Sequence, residues 1–429
     1  MKSEGSPVRA RVSAQIKNMK IIIKIGVVVA IIVFAVIIFT DDNSGVPVVG
    51  DTEVKNGEVV VPTDDGTDGI KVVSLGEISK LPLLSGGSHV GMQIGFNAKN
   101  TRKTKQSIKD KFKEALDVGM DVDIFHVDWA DLEPKKNKYD KGLLRDRLKK
   151  SREDGLQPLV FMPAIDSESL VIPEYLRSEG EFGIRDGMGL DDPIVIARYQ
   201  KLLDWVVPMA TEYGAWGIIV GNEADNYLVD FPEKTDEIVN FLIAAREYTH
   251  LLNQNMAVAM VVTSAIETDA FYAVRLVNES DFGAFNFYCN DTISGGTSEK
   301  EVAARVDKLV KASGSKDIVV QELGCPSGLP DIDSSIKTSN EKQREWFESY
   351  FKVMEKTPQI RVAYLFTLVE GDPALKNFYR TIFEEEGLPK DYVNYIIESI
   401  GSLGVITYKD GFPKPAWSEF INGIKILRK

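Results

Sequence analysis

Short apolar runs alternate with longer amphipathic stretches along most of the chain. From residue 88 onward, eight runs are rich in β-branched and aromatic residues, as buried strands are: HVGMQIGFN, DVDIFHVDW, QPLVFMPAI, WGIIVGNE, MAVAMVVTSA, FGAFNFYCN, DIVVQELG and RVAYLFTLVE. The stretches between them, such as SIKDKFKEALDVGM and DEIVNFLIAAREYTHLLNQN, carry apolar residues at helical spacing. Eight strands that alternate with helices predict an α/β fold, a (β/α)8 TIM barrel over residues 88–429.

An open doubly wound sheet is the alternative architecture for this pattern. Eight is the number of strands at which a parallel sheet of this kind closes into a barrel. An open sheet that binds a dinucleotide has a glycine-rich phosphate loop after its first strand, and the sequence has no such loop there. The pattern therefore favours the barrel.

A different pattern occupies the N-terminus. Residues 21–40 are apolar apart from Lys24 and the terminal Thr40, and as a helix they are long enough to span roughly 30 Å of hydrocarbon. Basic residues precede this segment and acidic residues follow it, so the positive-inside rule predicts a transmembrane helix with a cytoplasmic tail at 1–20. A cleaved signal peptide is the alternative, but the apolar run is longer than a usual signal core and no small-residue cleavage site follows it.

The N-terminal pattern also predicts where the rest of the chain lies. Residues 41–87 are acidic and rich in Gly, Pro, Thr and Val without a helical period, so we expect a spacer between the membrane and the barrel. The predicted protein is a single-pass protein of the cell membrane, and its barrel is extracytoplasmic.

Composition and charge remove several classes of function. The chain has 429 residues, of which 44% are hydrophobic, and its formal net charge is −13. A surface that binds nucleic acid needs a basic field, so no nucleic acid partner is expected. Three histidines and two cysteines without ligand spacing predict no metal site, and no cofactor motif is present. The sequence implies no obligate protein partner.

The fourth and seventh apolar runs each carry a glutamate where the strand is expected to end. The fourth run ends in Asn222 and Glu223, and the seventh carries Glu322 near its end, 99 positions later. Because the C-terminal ends of barrel strands meet at one mouth, the two glutamates are expected to face each other. Paired carboxylates suit the cleavage of a glycosidic bond, in which one is protonated and the other ionised. The alternative is that each glutamate is a surface residue at the start of a loop.

The motifs VGNEAD and QELGCPSG carry a resemblance to a known group of enzymes. They resemble the acid/base and nucleophile motifs of the retaining (β/α)8-barrel glycoside hydrolases, the clan of cellulases, endo-β-1,4-galactanases and endo-β-1,3-glucanases, and are most similar to endo-β-1,3-glucanase-like proteins. The resemblance covers the barrel, residues 88–429. It implies that Glu223 is the general acid/base and Glu322 the nucleophile. It also implies that Asn222 binds the sugar 2-hydroxyl and that Tyr288 hydrogen-bonds the nucleophile.

Further substrate contacts are expected near the ends of the first two strands. His126 is either a substrate contact or a satisfied core imidazole, and Trp129 is either a face for stacking on sugar or a packed ring. Asn97 and Gln93 are weaker candidates. Glu133, which precedes a proline, is expected to have a structural role in its loop.

The resemblance has two gaps. The clan usually has an arginine near the second strand and a tryptophan at the end of the eighth, and neither stands in DVDIFHVDWADLEP or RVAYLFTLVEGDP. The sugar subsite is therefore expected to be rebuilt, with Glu370 or Asp372 taking part. Cys289 and Cys325 follow adjacent strands, where they form either a disulfide or two free buried thiols.

The sequence as a whole predicts a membrane-anchored, extracytoplasmic retaining glycoside hydrolase that cleaves β-linked glycans without a cofactor. One alternative is a carbohydrate-binding or envelope protein that keeps the barrel and has lost turnover, which the missing arginine and tryptophan favour. Another is a transglycosylase, which would use the same residues. The glutamate pair counts against a pure binding protein, since binding alone has no need of two opposed carboxylates.

Overall fold

The computed structural model describes residues 86–95, 100–167, 169–178, 183–289, 296–328, 338–385 and 388–429. The predicted transmembrane helix at 21–40, almost all of the spacer and Asn97 lie outside the described residues. Among the described residues, no helix is both long enough and apolar enough to cross a membrane.

Apart from a short antiparallel hairpin of Ile165–Asp166 and Ser169–Leu170, the described strands form one parallel sheet that closes on itself. Its eight strands are β1 His89–Gln93, β2 Val122–His126, β3 Gln157–Phe161, β4 Gly217–Ile219, β5 in two segments Ala257–Ala259 and Val261–Val262, β6 Gly283–Tyr288, β7 Ile318–Gly324 and β8 Ile360–Phe366. The first β5 segment pairs with β4 and the second with β6, and β1 pairs with β8. Because a single residue separates the two β5 segments, the ring is continuous, and the predicted barrel is confirmed over the open sheet.

Helices surround the barrel in the order that the sequence pattern predicts. In the described part of the chain they are α1 Arg102–Asp117, α2 Trp129–Leu132, α3 Lys141–Glu153, α4 Pro193–Glu212, α5 Ala224–Asp230, α6 Thr235–Leu252, α7 Phe271–Glu279, α8 Glu299–Ser313, α9 Asn340–Lys356, α10 Pro373–Glu385, α11 Lys390–Ser402 and α12 Pro415–Leu427. Ser298 begins α8 with a capping box in which Glu301 returns the hydrogen bond, so two backbone donors are satisfied at that end.

The core has two layers that the strands separate. Side chains on the inner face fill the barrel with residues such as Leu159, Phe282 and Tyr364, and side chains on the outer face pack against the helices. Since both faces of each strand are buried, the strands read as nearly continuous apolar runs rather than as alternating ones. Polar residues in these runs therefore stand out where a strand reaches the mouth.

A helical hairpin, α10–α11, is inserted between β8 and α12. Its apolar side packs on Tyr288 and Phe366 at the ends of β6 and β8. Its base is fixed by the buried ammonium of Lys414, which donates to the carbonyls of Ser402 (3.2 Å) and Gly404 (2.6 Å). The hairpin is thus held rigidly against the mouth of the barrel.

The close packing of the barrel can be tested by a substitution at Gly91 in β1. A Cβ atom at this position would lie 2.3 Å from the Val122 carbonyl oxygen and 2.5 Å from the Tyr364 ring. We expect Gly91→Ala to lower the free energy of unfolding by about 1–3 kcal/mol through overpacking, measured by chemical denaturation. As a control, Gly142→Ala in α3 is expected to be neutral or to stabilise the protein by up to about 1 kcal/mol. Equal effects of the two changes would contradict this packing.

Candidate active site

Glu223 lies just beyond β4, where the chain turns into α5. It adopts left-handed backbone dihedrals, with φ of 45°, a conformation that is unfavourable for a residue with a Cβ. Its side chain is 2% exposed. Asn286 of β6 donates to Oε1 at 2.7 Å, and Asn226 of α5 donates to Oε2 at 2.9 Å. The turn therefore aims this carboxylate into the barrel mouth and two amides hold it there.

Glu322 lies within β7, beside a register shift in its pairing with β6. It is 1% exposed, and the hydroxyl of Tyr288 donates to its Oε2. Its neighbour across the ladder is Asn286, the residue that also bonds Glu223. The two predicted glutamates are therefore brought to one place with a single asparagine between them.

The electrostatics of this pair differ from those of ordinary glutamates. Burial raises the pKa of Glu223 well above its usual range, and the nearby Glu322 carboxylate raises it further. The hydrogen bond from Asn286 opposes this shift because it favours the ionised form. Since two buried like charges repel strongly, ionisation of Glu322 favours the protonated form of Glu223.

Asn222 connects the pair to the β3 side of the mouth. Its Nδ2 donates to Asp166 Oδ1 at 2.9 Å, and its Oδ1 accepts from Asn286 at 3.3 Å. Asn222 is fully buried and Asp166 is 3% exposed. Burial raises the pKa of Asp166 to about 7, with His126 and Asn222 acting in the opposite direction. The predicted site residue Asn222 thus lies beside the pair, fixed by neighbours on both sides.

His126 ends β2 and forms an ion pair with Asp128, with 2.6 Å between Nε2 and Oδ1. Its ring stacks on Phe161 with 4.4 Å between the centroids. Burial works to lower the pKa of His126, but the carboxylates of Asp128, Asp166 and Asp131 raise it on balance. The balance of these effects favours the protonated form of His126 more than in a free imidazole, at the end of β2 where the resemblance expects an arginine.

Trp129 and Glu133 lie in the packed interior below the mouth. Trp129 is fully buried, meets Tyr199 edge to face, and donates from its indole nitrogen to Glu133 at 3.2 Å. Glu133 is also fully buried and pairs with Arg198. The tryptophan has no free face for a sugar, so its packed alternative holds, and the structural role expected for Glu133 agrees with its ion pair.

Glu370 and Asp372, the two residues of the eighth-strand loop expected to take part in the sugar subsite, contact residues near the α10–α11 hairpin. Glu370 pairs with Lys414 at 2.5 Å, and Asp372 accepts from the backbone of Leu375 at 2.6 Å at the start of α10. Both side chains thus have partners at the base of the α10–α11 hairpin, and their part in a sugar subsite stays a prediction. Phe366 ends β8, where the resemblance expects a tryptophan, and its ring lies edge-on to Tyr288 at 6.2 Å.

Three further contacts hold the functional strand ends in place. Cys289 and Cys325 form a disulfide that joins the ends of β6 and β7, which settles the alternative between a bond and two thiols. Arg305 of α8 donates to the carbonyl of Tyr288 at 2.8 Å while it pairs with buried Glu267 at 2.7 Å. The backbone that carries Tyr288 is thereby fixed from two directions.

Sequence reasoning missed Asn286 and Asp166. Asn286 alternates with Tyr288 in FNFYCN, and residues two apart on a strand share a face, so this signal was present in the sequence. Asp166 follows β3 in a short hairpin of Ile165–Asp166 and Ser169–Leu170, whose geometry no sequence pattern specifies. Among the described residues, no group of three or more His, Cys, Asp or Glu side chains is arranged to hold a metal ion.

Comparison with known proteins gives matches only at the level of structure. No family model matches the chain, and no curated protein matches it either. The solved structures include GH5_18 from Bifidobacterium longum subsp. infantis, with a TM-score of 0.57 and 13% identity, covering 79% of each chain. A GH5_18 variant from B. longum subsp. longum in complex with Manβ1-4GlcNAc has a TM-score of 0.57 and 15% identity, covering 80% of this chain and 79% of that one.

An exo-β-1,4-mannosidase from Opitutaceae bacterium strain TAV5 is also similar. Its TM-score is 0.52 at 16% identity, and the match covers 79% of this chain and 59% of that one. At such identities the likeness concerns the fold. The fold expected from the motifs is therefore confirmed: this chain has the (β/α)8 barrel of these glycoside hydrolases.

The bond from Asn286 to Glu223 generates a prediction about pH dependence. This bond lowers the pKa of Glu223, so Asn286→Ala should raise that pKa further. If Glu223 acts as a general acid, the alkaline limb of kcat/KM should move to higher pH, because that limb reports the free enzyme. The profile is measured on an aryl β-glycoside. As a control, Asn240→Ala removes an exposed amide that bonds Asp191 and should leave the limb in place.

Proposed function

We propose that this protein is a retaining glycoside hydrolase that cleaves β-linked sugars. The observation that carries the proposal is the pair of buried carboxylates, Glu223 and Glu322, at the ends of β4 and β7 with Asn286 between them. The pKa of Glu223 is raised by burial and by Glu322, which favours a proton on it, and Glu322 accepts a hydrogen bond from Tyr288. An acid and a nucleophile are the two groups that such a reaction requires.

In the first step Glu322 attacks the anomeric carbon while Glu223 donates its proton to the departing oxygen. The bond to Tyr288 orients Glu322 and spreads its negative charge until attack. The raised pKa of Glu223 keeps its proton available near neutral pH. A covalent glycosyl-enzyme forms, and the leaving group departs as an alcohol.

In the second step Glu223 acts as a base. Once Glu322 is esterified it carries no charge, so the repulsion that raised the pKa of Glu223 disappears. Glu223 gave up its proton in the first step and now stays ionised, so it takes a proton from the water that attacks the anomeric carbon and releases Glu322. Two inversions give a product with the configuration of the substrate.

The similar structures indicate which substrates to try first. One was solved with Manβ1-4GlcNAc, and another is named an exo-β-1,4-mannosidase. β-Mannosides are therefore the first substrate class to test on this chain, followed by β-glucosides and β-galactosides. A transglycosylase would give the same first step and would differ in the acceptor of the second.

The glutamate roles can be tested with two variants. We expect Glu322→Gln to lower kcat/KM by about 10⁴-fold or more, since removal of a nucleophile is among the largest single losses in enzymes. Glu223→Ala should be slow on natural linkages and much less impaired in the first step with a dinitrophenyl leaving group, which needs no proton. Azide should restore its turnover and give a β-glycosyl azide, detected by NMR.

Glu133→Gln is the matched control for these variants, because Glu133 is buried and bonded outside the catalytic pair. It should lower the melting temperature, since Arg198 loses its charged partner, while kcat/KM at a temperature where the variant is folded stays within threefold. An α-glycosyl azide would contradict the retaining mechanism. Sugar binding without turnover in the parent protein would instead support the binding-protein alternative.

We also propose that residues 21–40 anchor the barrel on the outer side of the cell membrane. The proposal is supported by the length of the apolar run and by the basic residues before it. A β-linked glycan of the cell surface or surroundings would then be the accessible substrate. A spacer at 41–87 would keep the barrel clear of the lipid headgroups.

The anchor can be tested on the full chain expressed in cells. We expect the protein to stay in the membrane fraction through high-salt and alkaline washing, with its barrel accessible to protease added outside. The double variant Val29→Arg and Ile32→Arg should lose this association, because each arginine costs about 2.5–3.5 kcal/mol at the centre of a spanning helix. A mature chain that begins after residue 40 and is released from the cells would show a cleaved signal peptide instead.

A further inference from the structure

Asp166 has one carboxylate oxygen without a hydrogen-bond donor among the described residues. Its Oδ1 accepts from Asn222 at 2.9 Å and from Ser167 at 3.2 Å, whereas no described residue donates to Oδ2. The residue is 3% exposed. A buried carboxylate oxygen without a donor is costly, and such atoms in native proteins call for a ligand, an ion or a water molecule.

The position of Asp166 points to a sugar hydroxyl as that donor. Asp166 is bonded to Asn222, which precedes the proposed acid/base in the chain. A sugar bound for reaction at Glu223 and Glu322 therefore lies next to this carboxylate. Hydroxyl groups donate well to carboxylates, and such charge-assisted bonds are about twice as strong as neutral ones.

The α10–α11 hairpin bounds the mouth on one side. Tyr379, Phe383 and Ile400 of the hairpin share an apolar cluster with Tyr288 and Phe366. Tyr379 is fully buried. Burial, and to a lesser extent the Asp166 carboxylate, raises the pKa of its hydroxyl well above the usual range.

The order of the strands indicates which part of the substrate faces the α10–α11 hairpin. In a barrel of eight strands, β8 lies opposite β4, so the hairpin that follows β8 stands opposite Glu223. Since Glu223 protonates the leaving oxygen, the leaving group lies on its side of the mouth. The sugar that is transferred to Glu322 extends in the other direction, toward the hairpin.

We propose that the site is a pocket for the terminal sugar of a glycan, in which Asp166 accepts a hydrogen bond from a hydroxyl of that sugar and the α10–α11 hairpin blocks the chain beyond it. This inference rests on the proposed glycosidase function. It makes the enzyme exo-acting, so it releases one sugar at a time from the non-reducing end. Asp166 is then a substrate-binding residue.

The first experiment measures the pattern of cleavage by the full chain in detergent. The substrates are β-linked oligosaccharides labelled at the reducing end, either free or carrying a 4,6-O-benzylidene block on the terminal sugar. We expect the free substrate to shorten by one sugar at a time and the blocked one to react at least about 100-fold more slowly, since the block must enter a closed space. Equal rates on both substrates, with internal fragments as products, would overturn the inference.

The second experiment tests Asp166 with a series of monodeoxy aryl β-glycosides. In the parent, one deoxygenation should lower kcat/KM by about 10- to 100-fold, the range for loss of a hydrogen bond to a charged group. Asp166→Asn keeps an acceptor for Asn222 and replaces Oδ2 by an amide. The penalty at that one hydroxyl should fall to less than threefold in this variant, while the other hydroxyls keep theirs.

Asp123→Asn is the matched control, because Asp123 is a largely buried carboxylate near the start of β2, at the opposite end of the barrel. It should leave every deoxygenation penalty unchanged. Unaltered penalties in Asp166→Asn would overturn the role of Asp166. If that variant does not fold, Asp166→Ala replaces it in the deoxygenation series, and unaltered penalties there would likewise overturn the role of Asp166.

The design separates this inference from the function on which it rests. A parent without turnover on any glycoside would overturn the proposed function. In that case the sugar site is tested by calorimetry, in which the monosaccharide is titrated into each protein. This measures binding alone and does not depend on turnover. Affinity that falls at least tenfold in Asp166→Asn and stays constant in Asp123→Asn would support the terminal-sugar site, and equal affinity in all three proteins would overturn it.

Discussion

The structure depends on the burial of two carboxylates within reach of each other. Glu223 and Glu322 lie in a mouth where water is scarce, so their repulsion is strong and ionisation of Glu322 favours a proton on Glu223. Such an arrangement is unfavourable for folding, and it persists only because a closed barrel forces the ends of β4 and β7 toward the same point. Asn286 meets both residues, through a hydrogen bond to Glu223 and through its ladder position opposite Glu322.

The surroundings of the pair supply the rigidity that this arrangement requires. Tyr288 bonds Glu322, and the carbonyl of Tyr288 is in turn held by Arg305, whose guanidinium pairs with Glu267 and lies 4.3 Å from the Phe287 ring centroid. The disulfide between Cys289 and Cys325 joins the residues that directly follow β6 and β7. These contacts lie outside the mouth, so they orient the reacting groups without occupying the space that a sugar needs.

The sequence predicted the barrel and the meeting of Glu223 and Glu322 because both depend on local patterns. Eight apolar runs of strand length and the glutamates near the ends of two of them follow directly from the order of residues. Asp166 and the α10–α11 hairpin could not be predicted in the same way. The first depends on a short hairpin after β3, and the second on how an insertion packs across the mouth on Tyr288. Trp129 was ambiguous because its motif fits both a sugar platform and a core ring.

The acidic character of the mouth has a chemical consequence beyond the pair. Asp166 and Asp225 lie near Glu223, and burial raises the pKa of Asp166 to about 7 and of Asp225 to about 6. A neutral sugar gains little from this field in its ground state. In the proposed glycosidase reaction the sugar ring carries positive charge at the transition state, so those of the carboxylates that are ionised would stabilise it more than they stabilise the bound substrate. The proposed reaction would thus offset the free-energy cost of burying these acids.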